Sequence, residues 1–453
     1  HVPTPHANSF PKSDLSTVPA DSGAVETLVE QPGMDTSPRW SPDGRRVAFL
    51  SMGGEADLVE RLDAYTVSAE GGTPTALPTT PNQWSSALVG WSAGGESLLV
   101  ADVAGTSRHI YALPTEGGSA VPLTSEPGVY DAASYSQEAD RLAVAYQNST
   151  APPEVHVGAR QNVAGRSLTT VNEEVPRPEM GRTERVTWTG PGGQEIEALL
   201  TYPTEYDGGR VPLVLFPHGG PADTHLRVFT GGWRIPYMAV FKPQVLAQRG
   251  YAVLRPNPRG SGGYGPAFRR AILRDWGGVD YEDLMAGVDR AVEMGVAHPD
   301  SLVVAGGSYG GYMTAWTVTQ TDRFEAASMV SGLSNLISLE GKTDAPIFLR
   351  AYMGGAFWEQ RETYEASSPL YHVEGVETPT QILHGAADER APPSQGREFY
   401  RALQGQGAET EMILYPRTPH FPREPKLIMD MTPRMLDWFD EHLGQGSGPQ
   451  AAN

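Results

Sequence analysis

Residues 304–313 read VAGGSYGGYM: a serine with Gly306-Gly307 before it and Gly310-Gly311 just beyond, placed after the apolar run SLVV and ahead of the helix-like TAWTV. A serine used for packing or solubility needs no such neighbours. Glycine accepts backbone conformations and close approaches that a Cβ forbids, so the stretch fits a strand that bends sharply into a helix with Ser308 at the bend. Such a bend strains the serine and lifts its hydroxyl above the C-terminal end of a sheet. There it faces a helix N-terminus whose dipole favours negative charge. The flanking sequence agrees with that setting. VPLVLFP, YAVLRP, LVVAGG and TPTQILHG are apolar runs alternating with helical segments such as YEDLMAGVDRAVEMG. Strands apolar on both faces and separated by helices describe a mostly parallel α/β sheet covered on both sides. RVTWTG and IEALLTY precede it as a β pair, MTPRMLDWFDEHLG closes it as an amphipathic helix, and residues 445–453 read as a flexible tail.

Before VPRPEM at 175–180 the pattern is different. RWSPDGRRVAFLS (39–51), GWSAGGESLLVAD (90–102) and SYSQEADRLAVAY (134–146) can be laid over one another, headed by Trp40, Trp91 and Tyr135. Between them DAYTVSAEGG ends at Gly72 and HIYALPTEGG at Gly118, so one turn recurs after 46 residues. Paired strands repeating at that interval fit the four-stranded blades of a β-propeller, with an irregular β-sandwich as the other reading. At about 40 to 45 residues per blade the segment holds three, or four, blades: a short or partial ring. The expected domains are therefore 1–182, propeller-like, and 183–444, catalytic.

Composition narrows the function. With 453 residues, 39% hydrophobic and 19% charged, the chain suits two globular domains. A net charge of -20 and the lack of any Lys/Arg cluster argue against nucleic acid or an anionic membrane as partner. No run approaches the roughly 20 apolar residues of a membrane span. HVPTPHANSF lacks a signal pattern, so the expected location is cytoplasmic. Absent cysteine removes thiolate metal sites and cysteine nucleophiles.

A nucleophilic serine needs a base, and the base needs an acid to orient it. Beyond Ser308, His384 ends the run QILHG in a structural position, His372 precedes that strand, and His442 reads as a solvated residue of the last helix. His420, in YPRTPHFPREP between ETEMILYP and the final helix, occupies the loop where a base belongs. Asp388, in HGAADERAPP after TPTQILHG, is placed to accept from that imidazole; Glu389 is the neighbouring alternative, and Asp280 and Asp283 read as exposed helix residues. For an oxyanion, two N–H donors are required. The amide of Tyr309 is one candidate, and Gly220, in His218-Gly219-Gly220-Pro221 after VPLVLFP, is the other.

With Ser308, Asp388 and His420 in that order and HGGP upstream, the chain resembles the prolyl oligopeptidase family of serine peptidases, most nearly its acylaminoacyl-peptidases and dipeptidyl aminopeptidases. The resemblance runs through residues 183–443 and includes FPHGGP, NPRGSGGYG (257–265), DWGGVDYEDL (275–284), GGSYGGYM and HGAADERAPPSQGREFY. It implies an α/β-hydrolase domain preceded by a propeller, hydrolysis of short peptides through an acyl-enzyme, and no cofactor or metal. By the same resemblance Arg390 contacts a substrate carbonyl, and Leu333 and Leu336 line the pocket for the residue before the scissile bond. The sequence departs from the family at Pro419-His420-Phe421, where glycine is usual beside the base, and in a propeller about half the usual length. Nor does it carry a convincing Glu pair for a free N-terminal amine, which disfavours a dipeptidyl-aminopeptidase.

The leading expectation is a serine exopeptidase or oligopeptidase acting on short peptides. An esterase or amidase of a small acyl compound is the second, and a binding protein with an idle triad the third. Open strand edges suggest a homo-oligomer.

Overall fold

The computed structural model describes residues 12–53, 58–59, 62–159, 163, 167–174, 179–231 and 242–444. The expected tail 445–453 and residues 175–178 of the stretch taken as the boundary lie outside them. The chain divides into two compact units. One gathers His1–Pro176 with Leu226–Phe229 and Gly262–Arg270; the other takes Arg177–His225, Thr230–Ser261 and Ala271–Asn453.

In the first unit β1 (Leu15–Thr17) and β2 (Glu26–Val29) form an antiparallel pair. Then β3 (Asp35–Trp40), β4 (Arg46–Ser51), β5 (Asp63–Ser68) and β6 (Thr75–Ala76) make one antiparallel blade. A second consists of β7 (Ala87–Trp91), β8 (Ser97–Ala104), β9 (Ser107–Pro114) and β10 (Val121–Pro122). The third has β11 (Val129–Ser136), β12 (Arg141–Gln147) and β13 (Glu154–Ala159), with β11 joined to β9 by the parallel pair Val129–Arg108.

The three overlaid sequence repeats are the first hairpins of these blades, and their irregularities coincide. The first strand of each hairpin breaks register before its turn, between Thr36 and Arg39, Leu88 and Gly90, and Asp131 and Ser134. Each turn holds a residue with positive φ: Gly44 at 71°, Gly95 at 78° and Asp140 at 45°. Ser41 and Ser92 cap two of the turns alike, accepting the amides of Arg46 and Ser97 at 2.9 and 3.0 Å. Alternation of side chains along β8 lets it serve two cores. Leu98 and Val100 pack with Leu50, Trp91 and Leu113, whereas Leu99 and Ala101 pack with Ile110, Tyr130 and Leu142.

The second unit holds an eight-stranded sheet. Its members are β14 (Thr183–Thr189), β15 (Glu195–Thr201), β16 (Val211–Leu215), β17 (Ala252–Asn257), β18 (Ala297–Gly307), β19 (Ala326–Val330), β20 (Thr380–Gly385) and β21 (Thr410–Tyr415). They stand in the order β14-β15-β17-β16-β18-β19-β20-β21. The β14–β15 and β15–β17 pairings are antiparallel and the rest parallel, the arrangement of an α/β-hydrolase sheet. Helices follow the strands: α1 (Pro243–Gln248), α2 (Pro266–Arg270, grouped with the first unit), α3 (Val279–Glu293), α4 (Tyr309–Gln320), α5 (Leu336–Glu340), α6 (Pro346–Met353), α7 (Arg361–Ala366), α8 (Ser394–Gln406) and α9 (Pro425–His442). On one face of the sheet Val214, Val253, Val303 and Leu383 pack against Met435 and Phe439 of α9. None of the described helices is long and apolar enough to cross a membrane.

Two sequence expectations are corrected here. Asp280 and Asp283 are not exposed: both are fully buried on the inner face of α3 with Leu284, Gly287 and Val288. Each carboxylate has partners that offset its desolvation. Asp283 accepts from Arg259 Nη2 at 2.7 Å and from its Nε and its backbone amide, each at 2.9 Å. His442 is likewise not solvated. Its side chain is 10% exposed, its Nδ1 donates to Trp438 O at 2.7 Å, and Nε2 lies 3.5 Å from Glu409.

Candidate active site

The bend after β18 has the strained geometry its sequence implies. Ser308 adopts φ 59° and ψ -120°, outside the regions open to ordinary side chains. Its amide donates to Val330 O at 3.0 Å, and its carbonyl accepts the first-turn amide of Tyr312 at 2.9 Å. The glycines are there because chain segments cross at contact distance. A Cβ on Gly306 would stand 2.4 Å from Gly310 O, one on Gly310 2.2 Å from Pro217 O, and one on Gly311 2.7 Å from Gly332 Cα. Those atoms are backbone and cannot swing aside.

The loops after β20 and β21 are laid against each other. Ala386 N donates to Tyr415 O at 2.8 Å and Ala387 N to Thr418 O at 3.0 Å, while a Cβ on Gly385 would meet Thr418 O at 2.3 Å. This juxtaposition brings Asp388 and His420 together. His420 Nδ1 lies 2.8 Å from Asp388 Oδ2, and its Nε2 lies 3.0 Å from Ser308 Oγ. With Nδ1 protonated toward the carboxylate, Nε2 is left as the acceptor facing the hydroxyl. Asp388 is fully buried and its other oxygen accepts the amides of Arg390 at 3.0 Å and Ala391 at 2.9 Å. His384, read as structural, is buried beside the acid: Nε2 donates to Ala391 O at 2.7 Å and lies 3.8 Å from Asp388 Oδ2. Burial keeps its pKa below the usual imidazole value, so it stands there as a neutral donor.

Gly220 and Tyr309, the two expected oxyanion donors, both line the cavity that opens beside Ser308 and His420. Gly220 has φ 118°, a conformation suited to glycine, and a Cβ there would meet the amides of Ala222 and Asp223 at 2.7 and 2.6 Å. Neither donor's amide has a hydrogen-bond acceptor among the described residues. Nearby, His218 places Nε2 2.8 Å from Ser261 Oγ and His225 places Nε2 2.9 Å from Phe216 O, tying down the segment that carries Gly220.

The cavity measures about 340 Å³. Its walls are mainly apolar, from Trp276, Leu333, Leu339, Phe348, Leu349 and Phe421. Leu333 is thus at the cavity. Leu336 is fully buried in α5, its amide held by Ser368 Oγ at 2.9 Å, and is not among the lining residues. Arg390 is at the cavity wall, with its guanidinium paired to Asp344 through Nε at 2.5 Å and Nη2 at 3.1 Å. Sequence reasoning missed Trp276, Phe348 and Leu349. Trp276 had a signal in DWGGVDYEDL; Phe348 and Leu349 come from α6, whose approach to the serine is set by folding alone.

Comparison with known proteins gives both sequence and fold relatives. Residues 236–446 match the model of the prolyl oligopeptidase family. An uncharacterized peptidase of Bacillus subtilis, YuxL, is 32% identical over 363 residues, spanning 78% of this chain and 53% of its own. Dipeptidyl-peptidase 5 of Aspergillus oryzae is 26% identical over 470 residues, spanning 97% of this chain and 62% of its own. The chain thus covers just over half of the first relative and under two thirds of the second. Among solved structures, an acylaminoacyl peptidase of Pyrococcus horikoshii superposes with a TM-score of 0.79 at 21% identity, over 95% of this chain and 66% of that one. A puromycin-hydrolyzing peptidase of Mycobacterium tuberculosis gives 0.75 at 24% identity, over 96% and 73%. These likenesses share a propeller-plus-hydrolase fold.

Proposed function

We propose that the chain, whose residues 236–446 match the prolyl oligopeptidase family, is a serine peptidase of that family that cleaves short peptides through an acyl-enzyme. The observation that carries this reading is the hydrogen-bonded series Ser308–His420–Asp388 at the rim of an apolar cavity.

His420 Nε2 takes the hydroxyl proton as Ser308 Oγ attacks the scissile carbonyl carbon, and Asp388 holds the imidazolium that results. The carbonyl oxygen gains the electron pair and is met by the amides of Gly220 and Tyr309. The pair then returns, the C–N bond breaks, and the amine leaves with the proton from His420. Water repeats the sequence on the ester and frees Ser308. Each step conserves its proton through one imidazole, so no cofactor is called upon.

The cavity supports a preference for a large apolar side chain before the scissile bond. Trp276, Leu333, Phe348 and Leu349 offer dispersion contact and no buried partner for a charge. Arg390, held at the wall by Asp344, is the group for a substrate carbonyl on the N-terminal side. The test is a chromogenic panel of acyl-Phe, acyl-Leu, acyl-Asp, acyl-Lys and free aminoacyl anilides alongside simple aryl esters. Acyl-Phe and acyl-Leu anilides are expected to exceed the Asp and Lys compounds in kcat/KM by at least about tenfold. Turnover of esters with every anilide inert would leave a small-acyl esterase instead.

A further inference from the structure

One buried carboxylate near the serine is used by no step above. Asp280 is 0% exposed, although it stands at the N-terminal turn of α3, where acidic residues ordinarily face water. Oδ1 accepts the amides of Gly277 at 3.0 Å and Tyr281 at 2.9 Å, and Oδ2 accepts the hydroxyl of Tyr309. Gly277 makes this possible: its φ is +83°, and a Cβ there would lie 2.4 Å from Trp316 Cε2, so the chain can deliver α3 to this depth only through glycine. Trp276 closes the other side, edge-on to the Tyr309 ring at 4.8 Å. Burial pushes the Asp280 carboxyl up to about 7, which limits the charge it brings into this enclosure.

Tyr309 is the residue directly after the nucleophile, and its backbone amide is one of the two oxyanion donors in the reading given above. Its ring is anchored at the far end by Asp280 and at the side by Trp276. The backbone of Ser308 at the other end is strained, with φ 59° and ψ -120°, a conformation that persists only while its surroundings hold it. We propose that Asp280 is a positioning residue for the reaction: by holding the Tyr309 ring through its hydroxyl, it keeps the Tyr309 amide at the point where the oxyanion forms. This inference rests on the peptidase reading and adds to it a residue that touches no substrate.

The experiment compares wild type with Tyr309→Phe, Asp280→Asn and their double variant. Tyr309→Phe retains the amide, the ring and the cavity wall and deletes only the hydroxyl, so it stays informative if Asp280→Asn fails to fold. The measured quantities are kcat and KM on the best anilide, affinity for a peptidyl boronic acid that forms a tetrahedral adduct, and affinity for an uncleaved peptide analogue. Tyr309→Phe is expected to lower kcat by about 10- to 100-fold with KM within about twofold. Boronate affinity should fall by the same factor as kcat/KM while the uncleaved analogue binds as before. The double variant should be no slower than the slower single one. A Tyr309→Phe enzyme within twofold of wild type in kcat would overturn the proposal. So would a loss shared equally by the uncleaved analogue, since that is a deformed pocket rather than a displaced donor. Wild-type turnover is measured alongside: its absence would remove the peptidase reading, whereas its presence with an unaffected Tyr309→Phe removes only the role of Asp280.

Discussion

Ser308→Ala is expected to lower kcat by about 10⁶-fold while the protein keeps its fold. In the proposed mechanism the hydroxyl is the attacking group, and among the described residues no other hydroxyl lies within hydrogen-bond reach of His420 Nε2. Structural cost is small, because the bend is held by backbone contacts: Ser308 N to Val330 O, and glycines 306, 310 and 311 against neighbouring main chain. Alanine retains both bonds and adds no volume. His420→Ala should cost about as much, and the double variant no more than either alone, since the two groups act in one proton transfer. Steady-state kinetics with near-ultraviolet circular dichroism as a control checks this. A Ser308→Ala enzyme retaining a tenth of wild-type turnover would mean that the nucleophile is elsewhere.

The elements legible in the sequence are those fixed by local chemistry. Gly306, Gly307, Gly310 and Gly311 announced a bend because no other residue lets main chain approach main chain so closely. The blade hairpins are legible through Asp43-Gly44 and Gly94-Gly95, where the positive φ of the second residue, Gly44 or Gly95, is a property of the turn itself. His420 and Asp388 could be placed because each falls in a loop after a recognisable strand. What could not be read was anything set by a distant partner. Asp280 and Asp283 look like solvent-facing helix residues until Tyr309 and Arg259, 29 and 24 positions away, are known to meet them. The same holds for Arg390, whose carboxylate partner Asp344 is 46 residues off. Phe348 and Leu349 reach the cavity from α6, and Leu336 does not line it from α5, because of how a short helical segment folds back over the sheet.

Asp388→Asn is expected to lower kcat by about 10⁴-fold. The carboxylate has two tasks that its two oxygens separate. Oδ1 receives the amides of Arg390 and Ala391, and an asparagine carbonyl does that equally well, so the loop should survive. Oδ2 receives the proton of His420 Nδ1. An amide group there donates instead, which moves the imidazole proton to Nε2 and leaves Ser308 without an acceptor. Glu389→Gln serves as the control, because Glu389 is exposed and was the other acid considered for this loop. It should remain within about twofold of wild type. Equal losses in the two variants, or a loss confined to Glu389→Gln, would assign the acid wrongly.

The claim that Ser308 is an activated nucleophile is tested most directly by incubating the chain with a fluorophosphonate and reading its intact mass and peptide map. Attack by Ser308 on phosphorus, with fluoride leaving and the proton passing to His420, is expected to leave one phosphonyl group per chain on the peptide containing Ser308 and none on Ser308→Ala. A folded wild-type chain that stays unlabelled, or one labelled equally in Ser308→Ala, would contradict it.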